Sequence, residues 1–213
     1  MAHEPDDEDT PRGYSSPACY LHEFDELKSW DEIRAWRKST RETLIAGRLA
    51  LGVSKLQTKG ALAKQKLLAA VDLKKYPTLG LYWCMRGEID VRDIARRHIE
   101  AGGVVGLPVV VEKAAPVEFW KWQPGMAMKR GVWNIPIPGK REVVIPDACI
   151  VPLVGFDDQQ YRLGYGGGYY DRTLASMARR PFCAGLGYAE GKLRTIHPQP
   201  HDIPMSIIVT DQS

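Results

Sequence analysis

Apolar and polar positions alternate with two different rhythms along this chain, and the rhythm changes at Pro77. Before it, spacing is helical. The tetrapeptide SWDE at 29–32 fits a capping box, in which the Ser29 hydroxyl and the Glu32 carboxylate satisfy exposed helix N–H groups reciprocally, so a helix is predicted to start there. At about 100° per residue, Ile33, Trp36, Thr40, Leu44, Gly47 and Leu51 fall on one face. Arg34, Arg41 and Arg48 form a row beside that stripe, with Arg37 and Lys38 close by; Arg34, Lys38 and Arg48 read as a solvated basic face. A second amphipathic helix is expected over roughly 54–73, with Lys59, Lys64 and Lys66 toward water.

Beyond Pro77 short apolar runs are separated by helical or turn segments. TLGLYWC, DVRDIARRHIEAGG and VVGLPVVV read as strand, helix and strand, with Asp90 placed to cap the helix and Gly102 to end it. The pattern resumes with ACIVPLVGF as a strand, a glycine-rich loop, YYDRTLASMARR as a helix, then FCAGLGYA and SIIVT as strands. Near-continuous apolar strands need cover on both faces, which predicts a three-layer α/β/α domain with a mainly parallel sheet over 29–213. Residues 1–28 lack sustained periodicity and open on an acidic block, so they read as a flexible or docked tail. Within that tail Cys19, His22 and Glu23 offer metal-ligand chemistry without a second ligand pair, and packing of Tyr20, Leu21 and Phe24 onto the body is the preferred reading.

Composition narrows the function classes. The 213 residues, 44% of them hydrophobic, suffice for one sizeable core, and 29 basic against 26 acidic residues give a net charge of +3, too mild for a dedicated nucleic-acid binder. Four widely spaced cysteines, three of them in apolar runs, read as reduced core thiols. No apolar run approaches the roughly 20 residues that span a bilayer, and the N-terminus is acidic where a signal peptide is basic then apolar. A cytoplasmic protein with no membrane or nucleic-acid partner is expected.

The stretch RLGYGGGYYD, 162–171, concentrates the chemistry. Glycines let a backbone approach a ligand, and a loop between a strand and a helix N-terminus favours an anion. Neither G-K-[ST] nor G-x-G-x-x-G is present, since Tyr169 stands where a last glycine would be, so a phosphate loop and a purely structural loop both remain open on local sequence. Asp171, in the first turn of the following helix, interacts well with the dipole whether or not it meets a ligand.

PLVGFDDQQYRLGYGGGYYDR closely resembles the glycine–tyrosine motif of the 5-formyltetrahydrofolate cyclo-ligase family, also called 5,10-methenyltetrahydrofolate synthetases. RKSTRETL, YWCMRGEIDVR, GVWNIPIP and PHDIPMSIIVT resemble other family segments in the same order, so the resemblance spans 29–213. It implies an α/β fold similar to the sugar-phosphate isomerase and coenzyme A transferase group. It also implies ATP- and Mg²⁺-dependent conversion of 5-formyltetrahydrofolate to 5,10-methenyltetrahydrofolate, with release of ADP and phosphate.

By the same resemblance ATP meets Arg37, Arg41 and the run Arg162, Leu163, Gly164, Tyr165, Gly166, Gly167, Gly168, Tyr169 and Tyr170, with Arg162 and Tyr169 in the catalytic role. Folate meets Trp83, Glu88, Trp133, Tyr165 and Tyr169, and Asp171 and Asp202 are the implied Mg²⁺ ligands. Two positions depart from the family pattern: Arg37, where lysine is usual, and Ser206, where an acid is common. A monomer acting on folate and ATP is expected. The alternative is a non-catalytic folate- or nucleotide-binding module on the same fold.

Overall fold

The computed structural model describes residues 29–212; the readings made for the first 28 residues, Cys19, His22 and Glu23 included, lie outside the described residues. Helix α1, Trp30–Ala50, opens on the expected capping box: Glu32 N donates to Ser29 Oγ at 3.2 Å, and Ser29 N donates to Glu32 Oε2 at 2.9 Å. Its inward face differs from the one the apolar pattern selects. Ile33, Arg37 and Arg48 are buried, while Gly47 is exposed. The helix lies across chain segments rich in carbonyl groups and carboxylates, so the side chains that gain most by turning inward are guanidiniums. Arg48 is therefore a core residue and not part of a solvated face, whereas Arg34 and Lys38 are exposed as expected.

Helix α2, Gly52–Ala70, follows immediately, with Gly52 at a φ of +76° making the break. It buries Gly60, Ala63 and Leu67. Two of the lysines expected to face water instead clasp neighbours at the rim: Lys59 Nζ lies 2.5 Å from Asp211 and 2.8 Å from Glu190, and Lys64 Nζ lies 2.8 Å from Asp93.

Strand β1, Thr78–Gly80, helix α3, Arg92–Glu100, and strand β2, Val104–Val109, form the predicted βαβ unit, with Thr78 paired in parallel to Val104. Asp90 accepts from Arg92 N at 3.0 Å at the start of α3, and Gly102, at a φ of +89°, follows its end. The chain then makes β3, Glu118–Trp122, the two-stranded ribbon β4, Met128–Arg130, with β5, Pro136–Pro138, and the short β6, Val143–Val144. Next come β7, Ala148–Pro152, the hairpin of β8, Gly155–Phe156, with β9, Arg162–Leu163, helix α4, Tyr169–Ser176, and strands β10, Phe182–Leu186, and β11, Ile207–Val209. The main sheet runs β11-β10-β7-β1-β2-β3-β6; its first five strands are parallel and β3 and β6 complete it antiparallel.

Two expected strands are shorter than their apolar runs. TLGLYWC is strand only at its start, and ACIVPLVGF breaks after Pro152, where the chain leaves the sheet for the β8–β9 hairpin. Alternate residues of β7 serve opposite faces: Ala148 and Ile150 join Ala63, Leu67, Ile94 and Ala95 beneath α2 and α3, while Cys149 and Val151 join Phe119, Leu174 and Cys183 beneath α4. The sheet is covered on both sides, as a mainly parallel sheet requires. The parallel strands share a direction, so the segments leaving the carboxyl ends of β1, β7 and β10 gather at one edge, the usual place for a site in such sheets. Helix α1 crosses that edge.

Candidate active site

The glycine loop joins β9 to α4 across this edge. Gly166 and Gly168 have φ of +91° and +62°, a region that costs other residues backbone energy, and Gly168 is the residue from which α4 begins. Among the described residues no backbone N–H from Tyr165 to Gly168 donates a hydrogen bond, so this run of donors at a helix start has its capacity to spare for an anion.

Arginines grip the loop by its carbonyls. Arg41 Nε donates to Gly164 O at 2.7 Å, and its guanidinium lies where a Cβ on Gly166 would sit 3.2 Å away. Arg172 Nη2 donates to Gly167 O, with its guanidinium 5.1 Å from the Tyr169 ring centre. Arg162, buried below the loop, donates to Ile203 O at 3.1 Å, pairs with Asp171 at 3.1 Å and lies 5.6 Å from the Tyr170 ring. Arg172 has no role in the sequence reading; its signal is its place four residues after Gly168, one turn into α4, which brings it back over the loop.

Arg37 is 6% exposed and fully engaged: it donates to Ile196 O at 3.0 Å, His197 O at 2.9 Å and Asp202 Oδ2 at 2.5 Å. Asp202 also accepts from Gln199 N at 2.7 Å, and Asp171 accepts from Ile203 N at 3.1 Å, so the two acids flank one peptide unit. Two guanidiniums, Arg37 and Arg162, thus pair with the two carboxylates, while Arg41 and Arg172 are spent on loop carbonyls. Burial, then the charge of Arg37, holds the pKa of Arg41 below its ordinary value, with Asp202 opposing the shift. An anion at the loop would relieve that cost. Each acid already holds one arginine and one backbone N–H, and among the described residues no third acid, histidine or cysteine joins them in a metal-binding group. Hard oxygens in this number suit a Mg²⁺ whose remaining ligands are phosphate and water, not one held by protein alone. The rings of His197 and His201 face different tryptophans, Trp36 and Trp30, and Ser206 Oγ accepts from Cys183 N at 3.0 Å.

On the other side of the loop stands Glu88. It closes a turn whose two central residues, Arg86 and Gly87, both have positive φ, with Glu88 N donating to Met85 O at 3.0 Å and Met85 N to Glu88 Oε2 at 2.8 Å. Burial pushes the Glu88 pKa up to about 7, against the lowering effects of Met85 N–H, the Tyr165 hydroxyl and the charges of Arg48 and Arg86. Tyr165, on the loop, sits partly exposed beside this acid, with Arg86 5.9 Å from its ring. Trp133 is 63% exposed, has a φ of +56°, and meets the Tyr169 ring edge-on at 5.6 Å. A large exposed ring on strained backbone, aimed at the loop, is costly to keep without a surface to bind.

The predicted residues do not all converge. Leu163 is buried in the core, and Tyr170 is turned inward beneath the loop with its pKa raised by burial. Trp83 packs edge-on against Trp122 at 6.4 Å, with Arg92 5.4 Å from its ring, in the cluster under α3. No described contact joins it to the loop.

The family model for the 5-formyltetrahydrofolate cyclo-ligase family matches residues 33–211. The chain belongs to this family. It is 30% identical over 172 residues to the 5-formyltetrahydrofolate cyclo-ligase of Escherichia coli strain K12, covering 76% of this chain and 93% of that one. It is 28% identical over 150 residues to that of Haemophilus influenzae, covering 66% and 79%. Among solved structures, the Aquifex aeolicus 5,10-methenyltetrahydrofolate synthetase superposes with a TM-score of 0.71 at 24% identity, over 83% of this chain and 90% of that one. The Mycoplasma pneumoniae synthetase does so with a TM-score of 0.68 at 23% identity, over 82% and 98%. Those likenesses bear on the fold of this family member. Among the described residues no helix is long and apolar enough to cross a membrane.

Proposed function

We propose that this protein closes 5-formyltetrahydrofolate to 5,10-methenyltetrahydrofolate at the expense of ATP, on the two sides of the glycine loop. One observation carries the reading: the same short loop offers free N–H groups beside Arg41 and Arg172, while its tyrosines reach Glu88 through Tyr165 and Trp133 through Tyr169. A phosphate chain and a flat, N–H-rich ring would each find matching chemistry, and their reacting ends would meet over the loop.

The formyl oxygen is a poor leaving group because it is amide-like. Its attack on the γ-phosphorus of ATP forms an O–P bond and displaces ADP; the folate N10 then attacks the activated formyl carbon, and phosphate leaves with the original oxygen as N10 gives up its proton. Loop N–H groups, Arg41 and, from below, Arg162 stabilise the charge that develops on the phosphoryl oxygens. Arg37 keeps the Asp202 turn in place at the nucleotide side. Glu88 accepts from the pterin N–H groups, and Trp133 and Tyr169, in edge-on contact, together offer the ring system an aromatic surface. Mg²⁺, held by Asp171 and Asp202 together with phosphate oxygens, would neutralise the nucleotide. Leu163 and Tyr170 contribute through their backbone, and Trp83 supports the Glu88 turn from the α3 side.

Purified protein mixed with 5-formyltetrahydrofolate and Mg·ATP is expected to generate the absorbance of the methenyl product, and to generate none without ATP. Binding of both ligands with no product would leave only a binding module.

A further inference from the structure

Arg48 lies seven residues beyond Arg41 on α1, two helical turns away, and is 7% exposed. Its Nη2 donates to Leu153 O at 2.5 Å, at the point where the chain leaves β7. The guanidinium stands 5.8 Å from the Tyr188 ring, and its methylenes cross Gly87 so closely that a Cβ there would be 3.3 Å from Arg48 Cδ. The side chain thus runs directly behind the turn that presents Glu88. The remaining corner, Nη1, is buried and makes no hydrogen bond. A buried donor with no acceptor is unfavourable, and a buried arginine at this spot calls for a reason beyond packing.

The groups around Glu88 narrow that reason. Arg86, Cys84 and Tyr82 face it from its own segment, Tyr165 and Tyr170 from the loop and α4, and Tyr188 from beyond β10. Among the described residues, Arg48 is the cation that acts on Glu88 from the interior, since Arg86 is exposed. It also acts on Tyr165, opposing the rise in that hydroxyl's pKa caused by burial. We propose that Arg48 is a positioning residue for the folate side of the site: clamped by Leu153 O, it holds Glu88 and Tyr165 from behind and keeps the acid in the carboxylate form that accepts from the N–H groups of a reduced pterin. This role rests on the reading that Glu88 receives the folate.

Four versions of the full-length protein test it: wild type, Arg48→Met, Glu88→Gln and the double variant, with Arg48→Lys as the conservative control. Folate KM and ATP KM are measured across pH 5.5 to 8.5, and folding is checked by circular dichroism. Arg48→Met should raise the folate KM roughly tenfold near pH 7, leave the ATP KM unchanged and move the midpoint of folate affinity upward by about one pH unit. Arg48→Lys should recover most of the loss. In the double variant the loss should be no greater than in Glu88→Gln alone, because Arg48 acts through Glu88. Additive losses, or a folded Arg48→Met with unchanged folate KM and midpoint, would overturn the assignment. Should Arg48→Met not fold, Arg48→Gln, which keeps a donor for Leu153 O without the charge, carries the same comparison, and equal pH midpoints in Arg48→Gln and wild type count against it. An unchanged folate KM in Glu88→Gln would instead withdraw the folate reading and this role with it, whereas a loss there with none in Arg48→Met removes Arg48 alone.

Discussion

The proposed nucleotide side and the proposed folate side of this site both bring buried arginines near carboxylates, but they join them differently. At the nucleotide side each acid is closed by a direct partner, Asp202 by Arg37 at 2.5 Å and Asp171 by Arg162 at 3.1 Å, with a backbone N–H on each acid besides. At the folate side Arg48 and Glu88 share no direct bond; the arginine keeps a free corner and the acid keeps a pKa of about 7. A closed pair is a brace: it fixes the turns that carry it and leaves a ligand only the oxygens and N–H groups that face away from the pair. An open pair retains unspent capacity and titrates where a ligand can exploit it. The difference separates the residues that shape the site from those that respond to its contents.

Breaking a brace should give the largest effect. Arg162→Met leaves the half-buried Asp171 without its arginine and is expected to lose about 3 kcal/mol in urea unfolding, together with all activity. Arg41, which grips the loop without an acid of its own, should matter to the ligand more than to the fold: Arg41→Met is expected to raise the ATP KM by roughly 10- to 100-fold, from the loss of about 1.5–3 kcal/mol of charged hydrogen bonding, with little change in folate KM. Glu88 provides the sharpest contrast because its sign is reversed. Its pKa in the folded chain, about 7, lies above the ordinary value near 4.3, so the folded state holds the proton more tightly. That stability is fully present below about pH 4.3 and is lost as pH rises to about 7. Glu88→Gln should therefore flatten the fall in unfolding free energy between pH 5 and 7 and leave the variant about 2 kcal/mol ahead of wild type at pH 8. At the small end, Arg34→Gln, on the exposed side of α1, should stay within about 0.5 kcal/mol of wild type and leave both KM values unchanged.

Local chemistry was readable in the chain wherever cause and effect lie close together. The Ser29–Glu32 box, the βαβ unit around α3 and the loop-to-helix passage at Gly168 all follow from neighbours within a few residues. The inward arginines were not readable in the same way. Hydrophobic periodicity treats arginine as wet, and the acceptors that turn Arg37 and Arg48 inward lie 159 and 105 residues away. Trp83 shows the same limit from the apolar side: its run looks like continuous strand, but the strand ends at Gly80, so alternation cannot say which face the ring takes. Residue types at the loop were legible, whereas their pairing depends on how distant segments meet.

That distance bears on how the molecule is made. The sheet is begun in its interior by β1, yet β11 at its far edge and the Asp202 turn come from the last dozen residues of the chain. Arg37 leaves the ribosome well before its partner 165 positions later, and Arg162 waits for Ile203. Long-range closure of this kind is slow and leaves its members uncompensated until it occurs. A nascent chain can therefore assemble its βαβ unit early, but the proposed nucleotide side closes only after the Asp202 turn has emerged.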